Sequence, residues 1–319
     1  MRKLESQPRI LRRPVHGVLL LDKPLGLSSN GALQKCKWLL RAEKAGHTGT
    51  LDPLATGVLP LCFGAATKFS QLQLDADKTY EATVRLGVKT STGDAEGEVI
   101  ARREVPELTP GRLAEIAGQF TGPIRQVPPM HSALKKDGKA LYEYARAGEQ
   151  VEREQRDVVI RQLELAPAVA MGTIPALVLR ASVSKGTYIR TLGEDIGDAL
   201  GCGAHLTSLR RLATGHFGIS QCVTLPALEA MNEEERLACL APVDSLLPDH
   251  TRVTLDADNA GRFLSGLRRR GPWQDNEHVA VFGEQPKALL GTAHIKGGEL
   301  IPVRLLSPLE ISQILESNL

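Results

Sequence analysis

Residues 46–57 read Gly46-His47-Thr48-Gly49-Thr50-Leu51-Asp52-Pro53-Leu54-Ala55-Thr56-Gly57. Three glycines, three threonines, a histidine and an Asp-Pro step fill these twelve positions, so a single carboxylate sits on a compact polar loop. The spacing is neither GxxxxGK[ST] nor GxGxxG, which excludes both common nucleotide fingerprints. Two roles stay open to Asp52. It caps a turn, as Asp commonly does, or it is a nucleophile or base presented on a rigid loop.

A catalytic carboxylate needs an orienting partner, and the segment Ser184-Lys185-Gly186-Thr187-Tyr188-Ile189-Arg190 offers one. If the segment is extended, Tyr188 and Arg190 share a side. The Arg190 guanidinium can then grip a carboxylate bidentately and keep it ionised; the alternative is an ordinary surface ion pair. Tyr80 and Tyr188 are two of only four tyrosines. Each suits core packing with its hydroxyl at the surface, or a stacking platform for an RNA base. His47 is a satisfied loop histidine or a ligand contact.

Metal chemistry finds no support. His205 and His216 are eleven residues apart with no HExxH pattern, and no cysteine pair has CxxC spacing. The five cysteines, Cys36, Cys62, Cys202, Cys222 and Cys239, are scattered, which fits a reducing compartment. The apolar stretch Gly17–Leu21 ends at Asp22, too short to span a bilayer, and no secretion signal follows Met1. A cytoplasmic protein with no membrane contact is expected. The 319 residues carry 39 Lys+Arg and 37 Asp+Glu, a net charge of +2, so any polyanion surface must be local. Basic groups do recur locally: Arg9, Arg12 and Arg13; Lys35, Lys37, Arg41 and Lys44; Arg210 and Arg211; Arg268, Arg269 and Arg270. Together these clusters suit phosphate contacts.

The elements that must position these groups are a mixture. Strands are expected at 17–22, 57–62, 79–86, 98–103, 156–166, 174–184 and near 207–220. Helices are expected from about Ser28 to Leu40, near 66–74, from Thr109 to Phe120, and from a Thr191–Glu194 capping box to Leu200. Two short helical stretches fall at 226–240, a further helix at 258–268, and late strands at Val279–Phe282 and Ile301–Leu305. The Pro-bounded polar segment 123–155, with Lys135, Lys136 and Lys139, is expected to project as an insertion. Strands and helices neither alternate regularly nor segregate into an all-β pattern, so the class is α+β. A domain boundary is expected near 250, giving 1–250 and 251–319.

In order along the chain stand Gly17 through Pro24, the Gly46–Gly57 loop, Lys78-Thr79-Tyr80-Glu81, Ser132-Ala133-Leu134-Lys135, Gly186 through Leu192, and Leu206 through Arg211. This series resembles the bacterial tRNA pseudouridine-55 synthase family (TruB type) over about 14–220. The region after 250 resembles the family's small RNA-binding tail, of PUA type. One departure is His131, where the family pattern has Tyr.

The resemblance implies a mixed, largely antiparallel pseudouridine synthase sheet with flanking helices and a small β-rich C-terminal domain. It implies an isomerase that converts uridine 55 in the tRNA T-arm to pseudouridine without cofactor or metal. Asp52 would be the nucleophile, Arg190 would orient it, and Tyr80 would stack on the uracil and share in proton transfer. His47, Tyr80, Tyr188 and Leu209 would form the target-nucleotide pocket, entered by a flipped base. Two rivals remain beside this: a tRNA-binding chaperone whose catalysis is secondary, and a guide-RNA-dependent relative. The insertion, in place of a guide complex, favours a lone monomeric chain acting on tRNA.

Overall fold

The computed structural model describes residues 11–132, 134–168 and 175–317. Met1–Glu5, Arg9, Ala133 and residue 174 of the expected strand lie outside the described residues. The chain runs through β1 (Gly17–Lys23), α1 (Ser29–Leu39), β2 (Ala45–His47), β3 (Ala55–Phe63), α2 (Ser70–Asp75) and β4 (Lys78–Leu86). It continues through β5 (Val88–Thr90), β6 (Val99–Arg102), α3 (Pro110–Phe120), β7 (Gly122–Gln126), β8 (Lys135–Lys136), β9 (Lys139–Ala140) and α4 (Leu141–Arg146). Then come β10 (Arg156–Pro167), β11 (Ala176–Val183), α5 (Ile189–Ala199), β12 (Ala204–Thr214), β13 (Phe217–Gly218), β14 (Val223–Thr224), α6 (Leu225–Ala230), α7 (Glu233–Ala238) and β15 (Leu240–Ala241). The last part holds β16 (Thr251–Leu255), α8 (Ala257–Leu264), β17 (Arg269–Arg270), β18 (Asn276–Gly283), β19 (Ala288–Lys296), β20 (Glu299–Leu305) and α9 (Pro308–Ser317).

One large sheet has the order β14-β1-β3-β12-β4-β11-β10-β7, and a separate five-stranded sheet has the order β16-β18-β19-β20-β17. Among the described residues only β1–β14 and β3–β12 of the large sheet's strands pair in parallel, so it is mixed and mainly antiparallel, as the TruB resemblance implied. The continuous apolar run of β1 has a physical reason: both faces are covered. Leu19 and Leu21 join α1 and α6 in one core, while Val18 and Leu20 join a second core that extends into the C-terminal sheet. A third core packs α3 and α5 on β4, β10, β11 and β12. Helix α5 buries Ile189, Leu192 and Ile196, and it approaches β12 closely because Gly197 has no side chain. A Cβ there would stand 2.4 Å from that of Ala204.

Three expectations need correction. The Thr191–Glu194 capping box does not form: α5 begins at Ile189 with Tyr188 at the cap position and no capping side chain. Residues 122–126 are the edge strand β7, so the projecting segment starts at 127 rather than 123. Strand β3 starts at Ala55, two residues before the expected position. The C-terminal sheet also contacts the rest of the chain. Lys68 donates to the Leu305 carbonyl and pairs with Glu310 at 2.6 Å, and the His16 ring meets Gln313 at 3.0 Å. Among the described residues no helix is long and apolar enough to cross a membrane.

Candidate active site

The register of four central strands sets the site. Ala181 of β11, Tyr80 of β4, Arg211 of β12 and Gly57 of β3 stand in one row; Leu179, Ala82, Leu209 and Ala55, two positions along, form the next row on the same face. Tyr80 and Leu209 each touch both the α1/α6 core and the α3/α5 core. They therefore mark the seam between these cores, and the site opens there. A cavity of about 560 Å³ brings together His47, Asp52, Tyr80, Tyr188, Arg190 and Leu209, every residue the sequence nominated. That size suits a small-molecule or single-residue ligand.

Asp52 lies between β2 and β3. Its loop is anchored from α1: the Ser29 hydroxyl donates to the Leu51 carbonyl at 2.9 Å and accepts from the Leu51 amide at 2.7 Å. Asp52 pairs with Arg190 through Nη2 at 2.9 Å, its carboxylate still partly open to the cavity. Arg190 is 5% exposed, and it sits in the first turn of α5 rather than on the extended segment expected. Its Nη1 also pairs with Asp94 at 3.4 Å and donates to the Thr92 carbonyl, and its Nη2 donates to the His131 carbonyl at 2.6 Å. The contact of residue 131 is through its backbone, so His in place of Tyr leaves this bond intact. Burial pushes the Asp52 carboxyl above its ordinary pKa and the Asp94 charge adds to that; Arg190 and Lys23 pull it back down.

Sequence reasoning missed four contributors. Asp94, read as part of a Gly/Asp turn, is buried and is Arg190's second carboxylate. Its Oδ1 accepts from the Thr92 hydroxyl and from the Glu96 amide, so it has little freedom to move. Gln126, also buried, accepts from the Tyr188 amide at 3.0 Å and donates to the Tyr188 carbonyl at 3.3 Å. It thereby fixes the residue ahead of α5 in place of a local cap. Lys23 is fully buried, and its Nζ donates to the Pro24 and Leu27 carbonyls; burial lowers its pKa to about 8. Lys78 likewise donates to the Gln73, Leu74 and Ala76 carbonyls, with its pKa lowered to about 8 by burial.

The remaining nominated residues are held as follows. His47 is half-buried; burial first and the Arg211 charge second lower its pKa, which favours the neutral ring. Tyr188 is shielded enough that burial raises its hydroxyl pKa. Arg210 and Arg211 do not form the expected basic patch. Being adjacent on a strand, they point to opposite faces: Arg210 pairs with Asp22 at 2.7 Å, while Arg211 is 1% exposed and lines the cavity. Of the other clusters, Arg13 and Arg41 both pair with Glu233, and Arg268 and Arg270 both pair with Glu299. Among the described residues no group of three His, Cys, Asp or Glu is placed to hold a metal ion.

Residues 37–189 match the TruB family pseudouridylate synthase N-terminal domain, and residues 190–248 match the tRNA pseudouridylate synthase B C-terminal domain. The chain belongs to the TruB family of pseudouridylate synthases. It is 67% identical over 315 residues to the tRNA pseudouridine synthase B of Verminephrobacter eiseniae, covering 98% of this chain and 95% of that one. It is 59% identical to the tRNA pseudouridine synthase B of Ralstonia nicotianae, covering 94% and 97%. Among solved structures, one of a Cbf5-Nop10-Gar1 complex matches with a TM-score of 0.69 at 24% identity, covering 96% of this chain and 92% of that chain. That likeness supports the fold: a mixed sheet with flanking helices and a β-rich C-terminal part, as the TruB resemblance implied.

Proposed function

We propose that this protein isomerises uridine 55 in the T-arm of tRNA to pseudouridine, acting in the cytoplasm as a lone chain without guide RNA. The observation that carries the reading is Asp52 held by a buried arginine at the mouth of a cavity that also contains Tyr80. The reaction breaks the bond between N1 of the base and C1′ of the sugar, turns the base, and joins C5 to C1′. The proton on C5 leaves and N1 ends protonated, so atoms balance with no cofactor. Asp52, ionised, is the nucleophile, at the base or the sugar. Arg190 fixes its orientation and favours its charge. Tyr80 stacks on the uracil, and its hydroxyl shares in proton transfer. His47, Tyr188 and Leu209 close round the base, which must leave its stack to enter.

In this reading residues 1–250 form the catalytic domain and 251–319 an auxiliary RNA-gripping domain of PUA type. The segment 127–155 clamps the T-arm. It already reaches the cavity, since Ser132 and Leu134 line it. The test is conversion of a T-arm transcript by the purified chain alone, with Asp52→Asn beside it. Conversion by the wild type and none by the variant is expected. RNA binding without conversion by the wild type would favour the chaperone reading instead.

A further inference from the structure

The cavity contains a buried cation that the mechanism above leaves unused. Arg211 is 1% exposed, and its Nε donates to the Val58 carbonyl at 2.7 Å. Neither terminal nitrogen makes a hydrogen bond among the described residues, and Nη2 is fully buried. No carboxylate pairs with it there, in contrast to Arg190, which has two. A buried charge without a counterion is costly to keep. The backbone that carries it is closely packed: Gly57, at φ +102°, lies so near that a Cβ would clash with the Arg211 carbonyl oxygen, which holds β12 against β3 at this position.

The charges around the cavity point to what is missing. Its lining holds one carboxylate, Asp52, against Lys78, Arg190 and Arg211. Asp52 and Asp94 neutralise Arg190, and Lys78 is spent on carbonyls. Of these three cations only Arg211 has terminal nitrogens without a partner among the described residues, and it stands on the strand beside Tyr80 and in the same row. A nucleotide whose base lies on Tyr80 brings a phosphate with it, and a guanidinium N–H at the cavity wall can donate a charge-assisted hydrogen bond to a phosphate oxygen.

We propose that Arg211 is the phosphate-holding residue of the pocket, receiving one of the two backbone phosphates that flank the inserted nucleotide. This rests on the RNA-modifying reading above. Arg211 does not touch the reacting atoms; it seats the substrate.

The test uses the full-length chain and a T-arm oligoribonucleotide in three forms: unmodified, and with a neutral methylphosphonate at either phosphate flanking the target uridine. For the wild type, one methylphosphonate is expected to raise KM by about 10-fold or more, the loss of one charge-assisted contact, while kcat changes little. Arg211→Gln, which can still donate to the Val58 carbonyl, is expected to raise KM on unmodified RNA similarly and to show no further penalty at that phosphate. If Arg211→Gln does not fold, Arg211→Lys replaces it, with a smaller KM rise and a correspondingly smaller methylphosphonate penalty. Indifference of the wild type to both methylphosphonates, or penalties that simply add, would overturn the assignment. Failure of the wild type to convert unmodified RNA would instead refute the function proposed above, so the two failures are distinct.

Discussion

Two sets of arginines in this molecule are treated in opposite ways. At the seam between the two helix-covered cores, Arg190 and Arg211 are almost wholly buried, one clamped by two carboxylates and one unpaired. In the C-terminal sheet, Arg268 and Arg270 lie at the surface and share Glu299. Burying a guanidinium costs several kcal/mol unless it is paired, whereas an exposed pair contributes about 0–1 kcal/mol. The seam thus holds charges that folding alone would not select, and their arrangement is legible as chemistry. The exposed pairs are what a solvated face makes anyway.

The sharpest way to probe this contrast is to remove the clamped arginine. Arg190→Met leaves Asp52 and Asp94 facing each other without a cation. It is expected to abolish turnover and to cost about 3–5 kcal/mol of stability, as removal of one partner of a buried ion pair does. Chemical denaturation and turnover assays check both; a fully stable Arg190→Met protein would show that the clamp contributes nothing to stability.

A smaller effect separates the two carboxylates. Asp94→Asn keeps the shape but removes a negative charge that raises the Asp52 pKa. The acid limb of the rate profile, where protonation silences Asp52, is expected to move to lower pH in this variant. Stability is expected to fall by about 1–3 kcal/mol, since Arg190 keeps only one charged partner. An unmoved acid limb would mean that Asp94 does not act on Asp52 through charge.

Stability should also depend on pH in a defined sense. The folded state raises the Asp52 pKa, so it holds that proton more tightly than the unfolded chain. This group therefore stabilises the fold at low pH, and that contribution is lost as pH rises from the ordinary carboxylate pKa through the raised one. Asp52→Asn is expected to gain stability relative to the wild type as pH rises through that window, followed by thermal melts. Lys23 and Lys78 act in the alkaline range. Their folded pKa of about 8 lies below the unfolded 10.5, so between these values the unfolded chain binds more protons and these groups favour folding increasingly as pH rises.

The smallest effects belong to the surface. Arg268→Ala with Arg270→Ala is expected to change stability by no more than about 1 kcal/mol. It should raise the RNA concentration needed for half-maximal rate and leave kcat alone. A fall in kcat would bring the C-terminal sheet into the active site. The insertion lysines are similarly bounded. Lys136 donates to the Glu152 carbonyl, and Lys139 pairs with Glu149 and lies over the Tyr144 ring, which leaves Lys135 as the freest of the three. Replacing all three by Ala is expected to reduce the slope of log affinity against log salt by about 1, the share of one or two phosphate contacts.

How far the site was legible followed the range of the contacts. The Gly46–Gly57 loop announced itself because its residues are consecutive. Arg190 does pair with Asp52, but from the first turn of α5 and not from an extended segment: Gln126, 62 residues before Tyr188, pins the backbone ahead of α5, so no local capping signal marks its start. Asp94, 96 residues from Arg190, gave no signal beyond a turn, because its partner is supplied by the sheet and not by neighbours in sequence. Arg210 and Arg211 read as one basic cluster, since only strand pairing reveals that one faces Asp22 and the other the cavity. The mixed, largely antiparallel sheet was implied only by the TruB resemblance, whereas strands β1 and β4 were legible from an unbroken apolar run and from alternation. The shared core between the large sheet and the C-terminal part was not, because apolar periodicity does not say which partner covers a face.

The central claim is that Asp52 is the chemical group and not a turn residue. Asp52→Asn keeps the shape and the turn hydrogen bonds but cannot be an anionic nucleophile. The direct measurement is single-turnover conversion of the T-arm uridine with enzyme in excess, beside RNA binding and a melt of the same preparation. The expected result is a loss of conversion by several powers of ten with near-normal affinity and folding. Near-normal conversion by Asp52→Asn would contradict the account and return Asp52 to its loop as a cap.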